Sequence, residues 1–163
     1  EIMDIVRYAP SGHNNQPLQW IIVYDTKELR RLTDMVIDWM RQMMKNGHPL
    51  GRELNCAILI RAYKQGKDVI CWNAPHLIIA VGTKENATDA AIALDHLELL
   101  APAYGIGSCW AGFFQIAATH SPELKQALSV PEPYEVLGSM MIGYPKFKYF
   151  QVPERKETKI VWK

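Results

Sequence analysis

Apolar positions along the chain follow two spacings. Ile2, Ile5 and Val6 share one side of a short helical stretch that Pro10, Ser11 and Gly12 break. A polar turn, HNNQPLQ, leads into QWIIVY at 19–24, a β-branched and aromatic run that predicts a buried strand. Leu29, Leu32, Val36, Trp39 and Met43 then recur at helical spacing and predict one long helix, with Asp25 or Thr26 as its cap and Glu28 in capping-box position. The same helix carries Met35, Met40, Met43 and Met44, which reads as a soft packing face or as an adaptable surface for a ligand or partner. Asn46-Gly47-His48-Pro49 ends it, and residues 52–71 predict one or two short helices. HLIIAVG at 76–82 is a second buried strand.

Asn86 is placed to cap the next helix, with Asp89 at its third position. Ala90, Leu94, Leu97, Ala101 and Tyr104 form its apolar stripe, small enough for another helix to approach closely, and Pro102 ends or kinks it. Residues 108–114, SCWAGFF, predict a short strand or extended loop. Ser121-Pro122-Glu123 opens a helix to about Leu128. VLGSMMIGY at 136–144 and TKIVW at 158–162 predict two further strands. About five strands and about five or six helices alternate, which predicts a layered α/β or α+β sandwich.

Composition narrows this pattern. A chain of 163 residues, 48% hydrophobic and 21% charged, is expected to form a single domain over residues 1–163 with a sizeable core. The formal charge of +1 gives no electrostatic case for nucleic acid or a membrane surface. The longest apolar stretch, residues 90–103, is interrupted by Asp95, His96 and Glu98, so a membrane span is not expected. Cys56, Cys71 and Cys109 are too few and too far apart for a disulfide framework, which points to a reducing, cytoplasmic setting. Glu1 opens the sequence directly in helix-like residues, and the expectation is of a longer polypeptide whose N-terminal part is missing.

Several chemistries can be weighed on residue patterns. The five His and three Cys form no CxxC, HxH or HExxH arrangement, so no metal site is expected. Cys109 is a candidate nucleophile with His13 or His120 as its base, or else a buried structural thiol. Gly105, Gly107 and Gly112 resemble a dinucleotide fingerprint, but the third glycine falls two places late and a helix precedes them where a strand is required. Asp34 and Asp38, near Arg30, Arg31 and Arg41, read as a solvated helix face. Two segments remain. Residues 9–17, APSGHNNQP, gather a hydroxyl, three amides and a glycine between two prolines, a donor and acceptor set suited to a heteroaromatic edge or a polyol. Residues 107–112, GSCWAG, flank Trp110 with small residues that let backbone N–H groups approach a planar ligand.

At these segments the chain resembles the nitroreductase family of flavin-dependent oxidoreductases. Ala9, Pro10, Ser11, Asn14, Gln16 and Pro17 match the pattern A-P-S-x-x-N-x-Q-P-W, and Gly105 to Gly112 match G-[LI]-G-S-C-W-x-G in full. Asn73-Ala74-Pro75 before an apolar strand, and Ile142-Gly143-Tyr144-Pro145 before a basic tail, also resemble the family, so the likeness spans the chain in order. It implies an α+β fold, a three-layer α-β-α sandwich whose central mixed sheet is completed by the partner's C-terminal strand, here TKIVW. It also implies an intertwined homodimer with FMN at shared sites.

By this resemblance Pro10, Ser11, Gly12, Asn14 and Gln16 of one subunit would reach the flavin ring and ribityl chain. Cys109, Trp110, Ala111 and Gly112 of the other would lie along the ring, with a backbone N–H near Ala111–Gly112 donating to it. Arg155 and Lys156 would hold the phosphate, which a bidentate guanidinium suits. The implied activity is ping-pong electron transfer from NAD(P)H or a reduced ferredoxin to nitroaromatics, quinones or similar small acceptors, with no catalytic side chain required. Leu18 stands where the family has tryptophan, and Ala111 where many relatives carry an acid. These departures keep open a flavin-binding relative without reductase turnover, beside a thiol enzyme built on Cys109. The family's Arg-rich phosphate segment would lie upstream of Glu1.

Overall fold

The structure, a computed structural model, describes residues 1–148 and 150–163. Helix α1 (Ile2–Val6) leads through the 9–17 loop to β1 (Gln19–Val23) and the long α2 (Thr26–Lys45). The short α3 (Pro49–Glu53) and α4 (Cys56–Lys64) precede β2 (His76–Gly82), and α5 (Ala87–Leu100) follows it. The chain closes with β3 (Gly107–Trp110), α6 (Gly112–His120), α7 (Pro122–Ala127) and β4 (Glu135–Gly143).

The four strands form one sheet in the order β1-β2-β4-β3, and all three pairings are antiparallel. The chain's own sheet is therefore antiparallel, not mixed. Both faces of β2 are covered. Leu77, Ile79 and Val81 pack with α2, α6 and α7, while Ile78 and Ala80 pack with α1 and α5. This two-sided burial explains why HLIIAVG reads as a continuous apolar run instead of an alternating one. The outcome is the expected three-layer sandwich, helices on each side of a sheet.

Leu29, Leu32, Val36 and Trp39 face the core as their spacing predicts, and Asp25 caps α2 by accepting from the Lys27 N–H at 2.9 Å. Met40 is fully buried, Met35 and Met43 pack on the core, and Met44 is exposed, so the methionines of α2 are mostly packing residues.

TKIVW is exposed and, among the described residues, belongs to no strand of this chain. Three expectations are corrected. β1 is a sheet edge and not a buried strand, with Ile22 and Tyr24 exposed and only Val23 buried. Residues 112–114, expected to end the extended run 108–114, instead open the helix Gly112–His120, with Phe114, Ala117 and Ala118 buried at helical spacing. Ahead of α5, Thr83 forms the capping box with Asn86, and the Asp89 side chain is used elsewhere.

Candidate functional site

The 9–17 loop turns sharply between α1 and β1. His13, Asn14 and Gln16 adopt φ values of 52°, 55° and 49°, in the left-handed region that residues with a Cβ seldom occupy. Internal bonds hold this shape: the Asn14 N–H donates to the Ser11 carbonyl and the Gln16 N–H to Ser11 Oγ, both at 3.0 Å. Two bonds tie the loop to other elements: the Ala9 N–H donates to the Val6 carbonyl of α1 at 2.9 Å, and the Gly12 N–H donates to Asp89 Oδ1 on α5 at 3.0 Å. Pro10, Gly12, Asn14 and Gln16 are exposed and Ser11 is half-buried. Ser11 and Gln16 line a cavity of about 220 Å³ with Arg7, Leu18, Trp20 and Asp89.

Segment 107–112 is built from regular backbone. Gly107–Trp110 pairs with β4 from Gly143 to Met140. The Ala111 N–H then donates to the Ser139 carbonyl at 2.9 Å, while Ser139 Oγ donates to the Ala111 carbonyl at 3.1 Å. That carbonyl also accepts from the Gln115 N–H, which starts α6. Both backbone groups of Ala111 are thus occupied, and its side chain is only 1% exposed. Gly112 is exposed, and a Cβ there would meet nothing within 4 Å. As the first residue of α6 it has no intrahelical acceptor for its N–H, so it is the better placed of the two amides to serve a ligand. Trp110 lies on the α5 side of the sheet: its Nε1–H donates to Glu98 Oε2 at 2.9 Å. Gly138 beside it makes room for Leu94 of α5, into whose side chain a Cβ there would run.

Cys109 opens into a different cleft, about 660 Å³, bordered by Trp72, Pro75, Tyr144 and Phe147. Its Sγ contacts the Trp110 carbonyl at 3.7 Å. Neither His13 nor His120 lines that cleft, and His120 Nδ1 bonds instead to the Ile116 carbonyl, so the structure assembles no thiol–imidazole pair there. Asp68 shapes the cleft's far wall by accepting from the N–H groups of Ile70, Cys71 and Asn73. This fixes Trp72 and Asn73 at positive φ just ahead of Ala74-Pro75, an ordering by Asp68 that the residue pattern alone does not signal. Burial, with Asp68 adding to it, pushes the Cys71 thiol up to about 12.

Within one chain these pieces do not meet. The 9–17 loop enters β1 and residues 107–110 are β3, the two outer strands, so about 14 Å of sheet separates them. Helix α5 gives the same scale: Asp89 and Glu98 are nine residues apart, about 14 Å along the helix axis. Arg155 and Lys156 lie in an exposed tail without regular structure.

The family model described as "Nitroreductase family" matches residues 1–144. The chain belongs to this family. A curated relative from Archaeoglobus fulgidus, provisionally named an NADH dehydrogenase/NAD(P)H nitroreductase, is 26% identical over 146 residues, covering 90% of this chain and 71% of the relative. Among solved structures, a nitroreductase with bound FMN from Desulfitobacterium hafniense superposes with a TM-score of 0.72 at 20% identity, covering 98% of this chain and 84% of that one. A nitroreductase with bound FMN from Bacteroides fragilis gives 0.69 at 23% identity, over 97% and 80%. These likenesses support the three-layer fold.

Proposed function

We propose that the chain is an FMN-dependent oxidoreductase of nitroreductase type that works as a homodimer, each flavin shared between residues 9–17 of one subunit and 107–112 of the other. The observation that carries this reading is the separation of the two segments. They sit at opposite edges of one sheet and at opposite ends of α5, while each displays its own polar groups outward. Two half-sites on one chain are completed by a second copy.

The residues suit the cofactor. The Ser11 hydroxyl and the exposed amides of Asn14 and Gln16 supply donors and acceptors for a ring edge and ribityl chain, and the left-handed backbone presets their direction. Gly112 offers an N–H with open space beside it, favouring negative charge at a facing ring nitrogen. Arg155 and Lys156 are available to a phosphate when the tail folds against a site. When bound, FMN supplies ping-pong electron transfer from NAD(P)H or a reduced ferredoxin to a nitroaromatic, quinone or similar small acceptor. The chain's own part is to hold, orient and electrostatically bias the ring, with no side-chain acid or base. Among the described residues no helix is long and apolar enough to cross a membrane, and Cys56, Cys71 and Cys109 are free, as a cytoplasmic setting allows.

The test is a titration of the purified chain with FMN, followed by NADPH and then a quinone. Quenched flavin fluorescence, bleaching and recovery of the yellow colour are expected, from a species that sediments as a dimer. A monomer that takes up no FMN overturns the reading.

A further inference from the structure

We infer that Asp89 is a positioning residue: its carboxylate holds the 9–17 loop in the shape that receives the flavin, an inference that rests on the function proposed above. In sequence Asp89 looks like a first-turn acid of α5, where it would serve the helix dipole. In the structure its Oδ1 accepts from the Gly12 N–H, 77 positions away, at 3.0 Å. Ahead of the turn the Ala9 N–H donates to the Val6 carbonyl of α1, and the other backbone donors of residues 11–16 bond within the turn, from Asn14, Asn15 and Gln16 back to Ser11 and Gly12. Ala9 and Leu18 anchor its two ends in the apolar layer with α1 and α5, but the turn between them carries the exposed polar groups.

Three residues of that turn are in the left-handed region, which persists only where surrounding contacts impose it. Asp89 supplies such a contact from the most rigid neighbour available, the first turn of a fourteen-residue helix whose Ala90, Ala93, Leu94 and Leu97 are buried. The acceptor is charged, so the bond is stronger than a neutral one, and the positive end of α5 lies beside it. Asp89 also lines the loop's cavity together with Ser11 and Gln16. It sets where the loop stands without needing to touch the cofactor.

The test uses the full chain. Asp89→Ala should raise the FMN Kd by about tenfold or more, the loss of one charge-assisted hydrogen bond, and lower Tm by about 2–4 °C. Asp89→Asn, which keeps an acceptor oxygen, should recover part of the affinity, and simple loss of helix-dipole charge would not be rescued this way. Gly12→Pro removes the same bond from the loop side. Ser11 is already extended (φ −137°, ψ 159°), as a residue before proline must be, and a Cβ at Gly12 meets nothing within 4 Å. In that background Asp89→Ala should add nothing further.

Hydrogen exchange at the Gly12 amide is read alongside, without FMN. It should be protected in the wild type and fast in Asp89→Ala. Unchanged exchange, or an unchanged Kd in a wild type that does bind FMN, overturns the inference. A wild type that binds no FMN but shows the exchange difference overturns the proposed function and leaves the positioning role standing. If Asp89→Ala fails to fold, Gly12→Pro and Asp89→Asn carry the same comparison.

Discussion

Residues 9–17 and 107–112 are both short and rich in small or polar residues, and they are held by opposite means. The first is a turn whose three left-handed residues rest on local bonds and one carboxylate from α5. The second is strand and helix terminus, with every pairing residue matched to β4 and Phe114 driven into the core one turn later. One region keeps strained backbone to aim side chains, and the other uses unstrained backbone to present an amide. Perturbing the core should therefore damage the second far more than the first, while changing local φ preferences should do the reverse.

The largest expected contrast is in thiol reactivity. Cys109 is exposed on β3, whereas Cys56 and Cys71 are 0% and 1% exposed. A thiol reagent near neutral pH should label Cys109 at once. The other two should react slower by about three orders of magnitude or more, because they wait for the fold to open. Three equally fast thiols would show that the wall behind segment 107–112 is not closed. Burial also raises the Cys71 value from 9.0 to about 12, so stability depending on the neutral thiol is complete below pH 9 and drains as pH climbs from there. An alkaline melting series should show a fall that Cys71→Ala lessens.

Next in size is Phe114→Ala. Phe114 is fully buried on α6, and truncating such a ring costs about 3–5 kcal/mol. Chemical denaturation should show that loss, and FMN affinity should fall with it because Gly112 opens the same helix. A loss below about 1 kcal/mol would mean that segment 107–112 is not braced by the core as argued.

The sequence exposed these two regions unequally. β2, β4, α2 and α5 were legible because two-sided burial and a helical stripe leave direct patterns in the residues, whereas QWIIVY was legible as a strand but not as the exposed sheet edge it forms. Helix α6 was not, because GSCWAGFF is apolar throughout and Ala111 caps α6 through its backbone, with no capping side chain to read. The motif residues of both segments were legible, but their separation was not: strand order decides it, and neighbouring residues do not encode strand order. Asp89 was invisible in its present role since its partner lies 77 positions away. TKIVW carries the pattern of a strand but, among the described residues, lies in no strand of this chain.

A smaller effect tests the hinge between strand and helix. Ser139 is fully buried and its hydroxyl donates to the Ala111 carbonyl. Ser139→Ala removes that donor, but the carbonyl keeps the Gln115 N–H, so the cost should be about 0.5–1.5 kcal/mol. FMN affinity should hardly move, since Gly112 remains fixed by the first turn of α6. A large loss of FMN affinity at that small stability cost would show that the Ala111 carbonyl, not the helix start, sets the amide's direction.

The smallest effect separates the two regions most cleanly, because its sign differs from the others. Gln16 has φ 49°, and its N–H donates to Ser11 Oγ. Left-handed backbone costs a residue with a Cβ about 1–2 kcal/mol, while glycine gives back about 0.5–1 kcal/mol through the freer unfolded chain. Gln16→Gly keeps the N–H and loses only a weak side-chain contact to Asn14 at 3.4 Å. The balance is a gain of about 0.5–1 kcal/mol, a rise in Tm of about 2 °C. The same change deletes an exposed amide that the proposed flavin site uses, so FMN should bind more weakly. Stability rising while affinity falls is the signature of backbone strain kept for a ligand. If Tm drops and affinity stays level, the left-handed turn is ordinary loop structure, and the contrast with segment 107–112 fails at its defining residue.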